Sequence, residues 1–377
     1  MKNFNLVCLL LYLALLGPMN ASAAIEKTNK ELKVGVIFRL NDKYNTFPQK
    51  MLKAMKFALD FHREASIKLY PVNHDGSALS LKKAVVKVLN YGAKLIVGGE
   101  TSSDAILISR MIPKDNVIFI TPTASSHLVH RNNSNSFRMM LDGSKMKHLV
   151  REVLLKEKCE ELGVLHNVSK PNADYISKEI IKDARSSGTK VLAVKVLADE
   201  KDFNRKIKVL ADRKTPCISI FSFESDFRQF IAFMKNSSYF PILIGGDGWG
   251  NNKSVIDKYF FDKKKIKAYR ALYWDKNNED TYASKVRRSY YEKYKVKMNA
   301  FTAIGYDTAK LIIDLVNSSS RVNHETLLKI LRTKKFENYL TTDYIIFGEE
   351  GSPSKLLHSY VLEGGNAIYW KGISVPR

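Results

Sequence analysis

Short runs of apolar residues alternate along this chain with longer stretches whose apolar positions recur at helical spacing. Leu32-Lys-Val-Gly-Val-Ile-Phe38 reads as a buried strand, and Met51 to His62 as a helix with Leu52, Met55, Phe57 and Leu59 on its inner side. Strands over Ile67–Val72, Lys94–Gly98 and Val117–Ile120 follow, separated by helices over Leu79–Tyr91 and from Glu100 to Met111. After Phe137-Arg-Met-Met140 the alternation begins again. Helices over Met146–Leu155, Tyr175–Ser186, Phe203–Asp212 and Phe227–Lys235 now precede strands over Leu162–Leu165, Val191–Val196, Cys217–Phe221 and Ile242–Ile244. Two consecutive series of this kind predict two α/β lobes, each with a parallel, helix-covered sheet. Helices over Thr281–Tyr294 and Ala300–Val316 come next, and the tail from Tyr344 to Trp370 reads as β-hairpins with glycine turns.

Residues 1–23 stand outside this pattern. Lys2, the eleven-residue apolar run Leu6–Leu16, the break at Gly17-Pro18 and the small residues Ala21-Ser-Ala23 have the form of a cleaved secretory signal. The run is too short to span a bilayer, so the expected mature protein starts near Ala24, outside the cytoplasm and with no stable membrane insertion. Within 377 residues, only Cys159 and Cys217 remain after such cleavage, and their spacing leaves open whether they pair. The eight histidines are scattered, and His127-x-x-His130 has no further ligands nearby, so no metal site is expected. With 61 Lys+Arg against 38 Asp+Glu the net charge is +23. The lysines are spread along helices rather than bunched with aromatics, which argues for a solvated basic surface and against a nucleic-acid partner.

Candidate chemistry sits on loops at strand ends, where α/β sheets present ligand-binding groups. Ser102 and Ser103 follow the third strand at the start of a helix, where hydroxyls and free N–H groups suit a carboxylate; a plain cap by Ser102, Ser103 or Asp104 is the competing reading. Thr121 to Ser126 follows the fourth strand with further hydroxyls. Pro241-Ile-Leu-Ile-Gly-Gly-Asp-Gly-Trp-Gly-Asn251 ends a strand of the second lobe in glycines around one carboxylate, Asp247. If the sheets face each other, hydroxyls on one wall and Asp247 on the other complement a zwitterion. No nucleophile elbow, P-loop or H-E-x-x-H occurs, so catalysis has no visible apparatus.

Six stretches in order carry a family resemblance: Lys33-Val-Gly-Val-Ile37, Ile96-Val-Gly-Gly-Glu-Thr-Ser-Ser103, Ile120-Thr-Pro-Thr-Ala-Ser125, Glu200-Lys-Asp-Phe203, the glycine block at 245–251, and Ala303-Ile-Gly-Tyr-Asp-Thr-Ala309. Together they resemble the type I periplasmic solute-binding proteins of the branched-chain amino acid (Leu/Ile/Val) group of ABC transporters. The resemblance implies two Rossmann-like lobes joined by a three-segment hinge, with crossings near Met139–Ser144, Tyr273–Lys276 and Thr341–Ile345. Lobe one would comprise 32–140 plus 275–341, and lobe two 141–274 plus 342–377. It further implies that Ser102 and Ser125 bind an α-carboxylate, with backbone from Thr123 and Ala124, that Tyr175 lies against the ligand, and that Asp247 receives the ammonium. The expected protein is a monomeric, non-enzymatic carrier without a cofactor, passing an amino acid-like ligand to a membrane permease. The alternative is a ligand sensor on the same fold that signals to an envelope partner. The loop after the first strand departs from the family pattern: Arg39 or Lys43 reads an extra anionic group there, or is solvated.

Overall fold

A computed structural model describes residues 31–42, 46–64, 66–197, 200–222, 224–235, 237–249, 266–275, 280–363 and 366–375. The expected signal segment and Lys43 fall outside the described residues. Strands β1 (Leu32–Phe38), β2 (Ile67–Asn73), β3 (Leu95–Gly98), β4 (Ile118–Thr121) and β5 (Ser136–Arg138) form a parallel sheet in the order β2-β1-β3-β4-β5. The alternation of β1 explains its two buried faces. Val34, Val36 and Phe38 pack with Met51, Ala54 and Ala58 of helix α1 (Phe47–Phe61), whereas Ile37 joins Leu81, Val85 and Ile108 from α2 (Ala78–Asn90) and α3 (Ser102–Met111).

After the short α4 (Leu128–Asn132), a crossing segment leads through α5 (Met146–Glu157) into the second lobe. Here β6 (Glu161–Asn167), β7 (Lys190–Val196), β8 (Cys217–Ile220), β9 (Ile242–Gly245) and β10 (Ala268–Leu272) run parallel in the order β7-β6-β8-β9-β10. The strand order of lobe one is therefore repeated. Helices α6 (Pro171–Ser186), α7 (Glu200–Asp212) and α8 (Glu224–Lys235) cover this sheet. Cys159, just beyond α5, is bonded to Cys217 on β8, with Cα atoms 6.2 Å apart. A bridge closing a loop of 58 residues restricts the unfolded chain by roughly 4 kcal/mol in the loop-entropy picture.

The chain then returns to lobe one through α9 (Thr281–Tyr294) and α10 (Ala300–Ser318). Gly305 lets α10 lie directly on α1, since a Cβ there would fall 2.6 Å from the Met51 carbonyl oxygen. Beyond α11 (His324–Thr333), three short strands β11 (Phe336–Glu337), β12 (Tyr344–Phe347) and β13 (Pro353–Ser354) carry the chain back. The hairpin of β14 (Leu357–Glu363) and β15 (Asn366–Ile373) then extends the lobe-two sheet antiparallel to β10. Asp307 on α10 anchors this last connection, accepting from Leu340 N, Thr341 N and Thr341 Oγ1 at 2.7–2.8 Å. Among the described residues no helix is long and apolar enough to cross a membrane.

Candidate functional site

In a sheet of order 2-1-3-4-5 the crevice opens where strand order reverses, beyond the carboxyl ends of the first and third strands. In lobe one that place belongs to Arg39, which follows β1, and to Glu100 and Asp104, which follow β3. Arg39 donates its backbone N–H to Glu100 Oε1 (3.0 Å) and its Nη2 to Asp104 Oδ2 (2.8 Å). His74, at the end of β2, backs Glu100 with Nε2 3.3 Å from Oε2. Its Nδ1 accepts from Gly76 N at 3.1 Å, so the proton resides on Nε2 and the ring donates to the carboxylate. Gly76, at φ +92°, makes room, since a Cβ would lie 2.7 Å from Arg39 Cζ. His74, Glu100 and Asp104 bring ligand-type atoms within 4.8 Å of one another, and the guanidinium is the cation that answers them. The expectation that Arg39 is solvated or reads an anionic ligand is thus corrected: its guanidinium pairs with two buried carboxylates, Nη2 bonding Asp104 and Nε lying 3.4 Å from Glu100 Oε1.

The helix behind this cluster is capped by Thr101, not by Ser102, Ser103 or Asp104. Thr101 Oγ1 accepts from Asp104 N (3.1 Å) and donates to Asp104 Oδ2 (2.8 Å). Ser102, half-buried, and Ser103, exposed, therefore sit inside the first turn, where backbone N–H groups lack intrahelical partners. Thr123 ties the neighbouring loop to them by donating to the Glu100 carbonyl (2.9 Å), as Thr121 does to Gly99 (2.9 Å). Ala124 is fully buried.

Ser125 is where the two lobes touch. Its Oγ accepts from Asn172 Nδ2 of α6 at 3.1 Å. Its carbonyl accepts from Gly143 N (2.9 Å) on the crossing segment and from Arg138 Nη1 (3.3 Å) at the end of β5. Tyr175, one helical turn beyond Asn172, packs against His127 with ring centroids 4.2 Å apart and the rings tilted by 40°, and donates to Asp142 Oδ1 at 3.2 Å. Asp142 also holds Arg138 Nη1 at 2.6 Å in a fully buried pair. Burial works to raise the Asp142 carboxyl, but the Arg138 charge and the bonds from Ser144 outweigh it and hold its pKa below the usual value. Burial and then the Asp142 charge push the Tyr175 phenol up to about 12, so it stays a donor. Ser125 and Tyr175 are thus brought together, with Asn172 and His127 as neighbours that sequence reasoning passed over.

Lobe two repeats the logic of lobe one at its own switch point. Asp226, third residue of α8, is the counterpart of Asp104, third residue of α3. It is buried, accepts from Asn167 Nδ2 at the end of β6 (3.3 Å) and from Ser222 Oγ, and pairs with Lys170 Nζ at 3.2 Å. That internal likeness was the signal available for Asp226 in the sequence. Asp247 opens a 3-10 turn after β9, and its side chain lies outside the described residues. Trp249 is core: fully buried, stacked on Phe227 at 4.2 Å, and donating Nε1 to the Ile220 carbonyl at 2.8 Å. Its ring explains Gly245, where a Cβ would meet it at 2.1 Å.

A family model described as periplasmic binding protein matches residues 31–366. A Leu/Ile/Val-binding protein homologue of Brucella melitensis is 22% identical over 262 residues, covering 67% of this chain and 69% of its own. Among solved structures, a leucine binding protein from Thermotoga maritima superimposes with a TM-score of 0.76 at 16% identity, covering 91% of this chain and 99% of that one. A solute binding protein of an ABC transporter from R. palustris, solved with benzoate, gives 0.72 at 14% identity, covering 92% and 97%.

Proposed function

The chain belongs to the periplasmic binding protein family, and on that premise we propose that it is an exported carrier, not an enzyme. It captures a small polar ligand, an amino acid or related compound, between its lobes and hands it to the membrane permease of an ABC transporter. The observation that supports this best is the meeting of polar side chains from both walls at one place: Ser125 and His127 from lobe one, Asn172 and Tyr175 from lobe two. Groups so disposed gain a ligand's hydrogen bonds only when the walls come together, which is how a ligand shifts an open–closed equilibrium. In this reading the first-turn N–H groups at Ser102 and Ser103, with Thr123, Ala124 and Ser125, take a carboxylate. Tyr175 flanks it, and Asp247 takes a positive end.

The test is a thermal-shift screen of the refolded mature chain against amino acids, small amides and small carboxylates, benzoate among them. A ligand at a hundred times its dissociation constant adds about 2.7 kcal/mol of stability. A hit lost in both Ser125→Ala and Asp247→Ala supports capture at this cleft. A hit indifferent to both substitutions, or no hit in any class, counts against it.

A further inference from the structure

Two buried polar atoms at the meeting of the walls have no hydrogen-bond partner: Asn172 Oδ1 and His127 Nδ1. The groups around them are already committed. Asn172 Nδ2 is spent on Ser125 Oγ, the Tyr175 hydroxyl on Asp142, and Asp142 on Arg138 and Ser144 N. The Ser125 carbonyl holds Gly143 and Arg138. Buried polar atoms are as a rule satisfied, and leaving one bare costs about 1–3 kcal/mol. Here one such atom stands on each wall. They are linked through contacts that also include Ser125 and Tyr175, since the His127 ring packs against Tyr175 and Asn172 bonds Ser125. Exchanging the O and N of the Asn172 amide changes nothing essential, because the orphan is then a donor rather than an acceptor.

We propose that Asn172 and His127 are specificity-determining residues that receive a hydrogen-bonding group of the ligand, so that the preferred ligand carries a hydroxyl or carboxamide where leucine, isoleucine or valine is aliphatic. This rests on the capture reading above and narrows it. A hydroxyl or carboxamide both donates and accepts, and so satisfies the pair in either orientation of the amide. An aliphatic group seated there leaves both atoms bare, and a site built to bond a polar group rejects the isostere that lacks one.

The experiment is isothermal titration of the refolded chain with two near-isosteric pairs, threonine against valine and asparagine against leucine, with glutamine added. Threonine should bind about tenfold or more tightly than valine, and asparagine or glutamine than leucine by a similar factor, the discrimination expected for one to two unpaired groups. In Asn172→Leu the ratios should fall toward one or invert, and in His127→Phe they should fall severalfold, while His127→Gln, which keeps a polar tip, retains most of the preference. Valine or leucine binding as tightly as its polar partner in the unaltered chain overturns the inference and leaves capture standing, and that measurement needs no variant to fold. Polar preference unchanged in both Asn172→Leu and His127→Phe overturns the assignment to these residues. No binding of any amino acid or small carboxylate takes down the capture reading, and this inference with it.

Discussion

Two polar clusters in the cleft region are built from similar residues and stand in opposite states. At the switch point of lobe one, Arg39, His74, Glu100, Thr101 and Asp104 answer one another through bonds of 2.8–3.3 Å, and Arg39 Nε, which has no hydrogen bond, still faces Glu100 Oε1 at 3.4 Å as an ion pair. At the meeting of the walls, Asn172 and His127 each keep a buried atom with no partner, although serine, tyrosine and aspartate lie beside them. A closed network fixes the shape of its surroundings and gains little from a ligand. An open one is costly until something fills it, which is the mark of a site. The contrast places structural duty on Arg39 and recognition on Asn172, the reverse of what charge alone suggests.

The largest test of the contrast is removal of the cation. Glu100 and Asp104 have side chains only 1% and 4% exposed, against 29% for Arg39. Arg39→Ala takes the guanidinium from two buried carboxylates, which keep His74, Thr101 and the backbone N–H of residue 39 as donors; breaking such a pair costs about 3–5 kcal/mol, less what those donors and solvent recover. A loss of about 3 kcal/mol in urea denaturation is expected, with Arg39→Lys recovering under half because a point charge cannot bridge both partners. A loss below about 1 kcal/mol would make Arg39 a surface group and dissolve the comparison.

The pH response of the crossing segment comes next. The Asp142 pKa is held below its ordinary value of 3.8, so its contribution is complete above that unfolded value and disappears as pH falls through the lower folded one. Asp142→Asn should cost about 2 kcal/mol at neutral pH and flatten the acid limb of the stability curve. Asp307, fully buried at the last connection, has the opposite sign. Burial raises its pKa to about 6 from 3.8, so the native state binds the proton first and stability gains as pH falls between those values. Asp307→Asn should remove that gain. Denaturation at closely spaced pH values separates the two, and matching acid limbs in both variants would contradict the assignment.

Much of this architecture was legible in the chain because buried parallel strands are nearly continuous apolar runs. Of the parallel strands, the two that escaped were β5 and β10. Each carries an arginine, Arg138 and Arg270, which is 0% and 5% exposed in the fold. A buried arginine breaks an apolar pattern, and the groups that make its burial tolerable, Asp142 for one and the Gly246 carbonyl for the other, are supplied by the fold. The same reasoning covers the site. Ser125 could be placed by counting strand ends and Tyr175 by the family resemblance, but His127 in a loop and Asn172 in the first turn of α6 look solvated until the opposite wall is known. Cys159 and Cys217 are neighbours because β8 lies beside β6, a fact of sheet order rather than of spacing.

The smallest effect sharpens the contrast most. If Asn172 is held for a ligand, replacing it should not weaken the empty protein. Asn172→Leu gives up one hydrogen bond to Ser125, worth about 0.5–1.5 kcal/mol, and removes an orphaned carbonyl whose burial costs about 1–3 kcal/mol. Ser125 is only half-buried, so its freed hydroxyl reaches water. The balance is a ligand-free protein unchanged or more stable by up to about 1 kcal/mol, even as polar ligands are lost. Stability gained where binding is lost is the expected exchange at a site kept unsatisfied for function. A fall of 2 kcal/mol or more would mean that Asn172 holds the lobes together as structure, and the two clusters would then differ in degree rather than in kind.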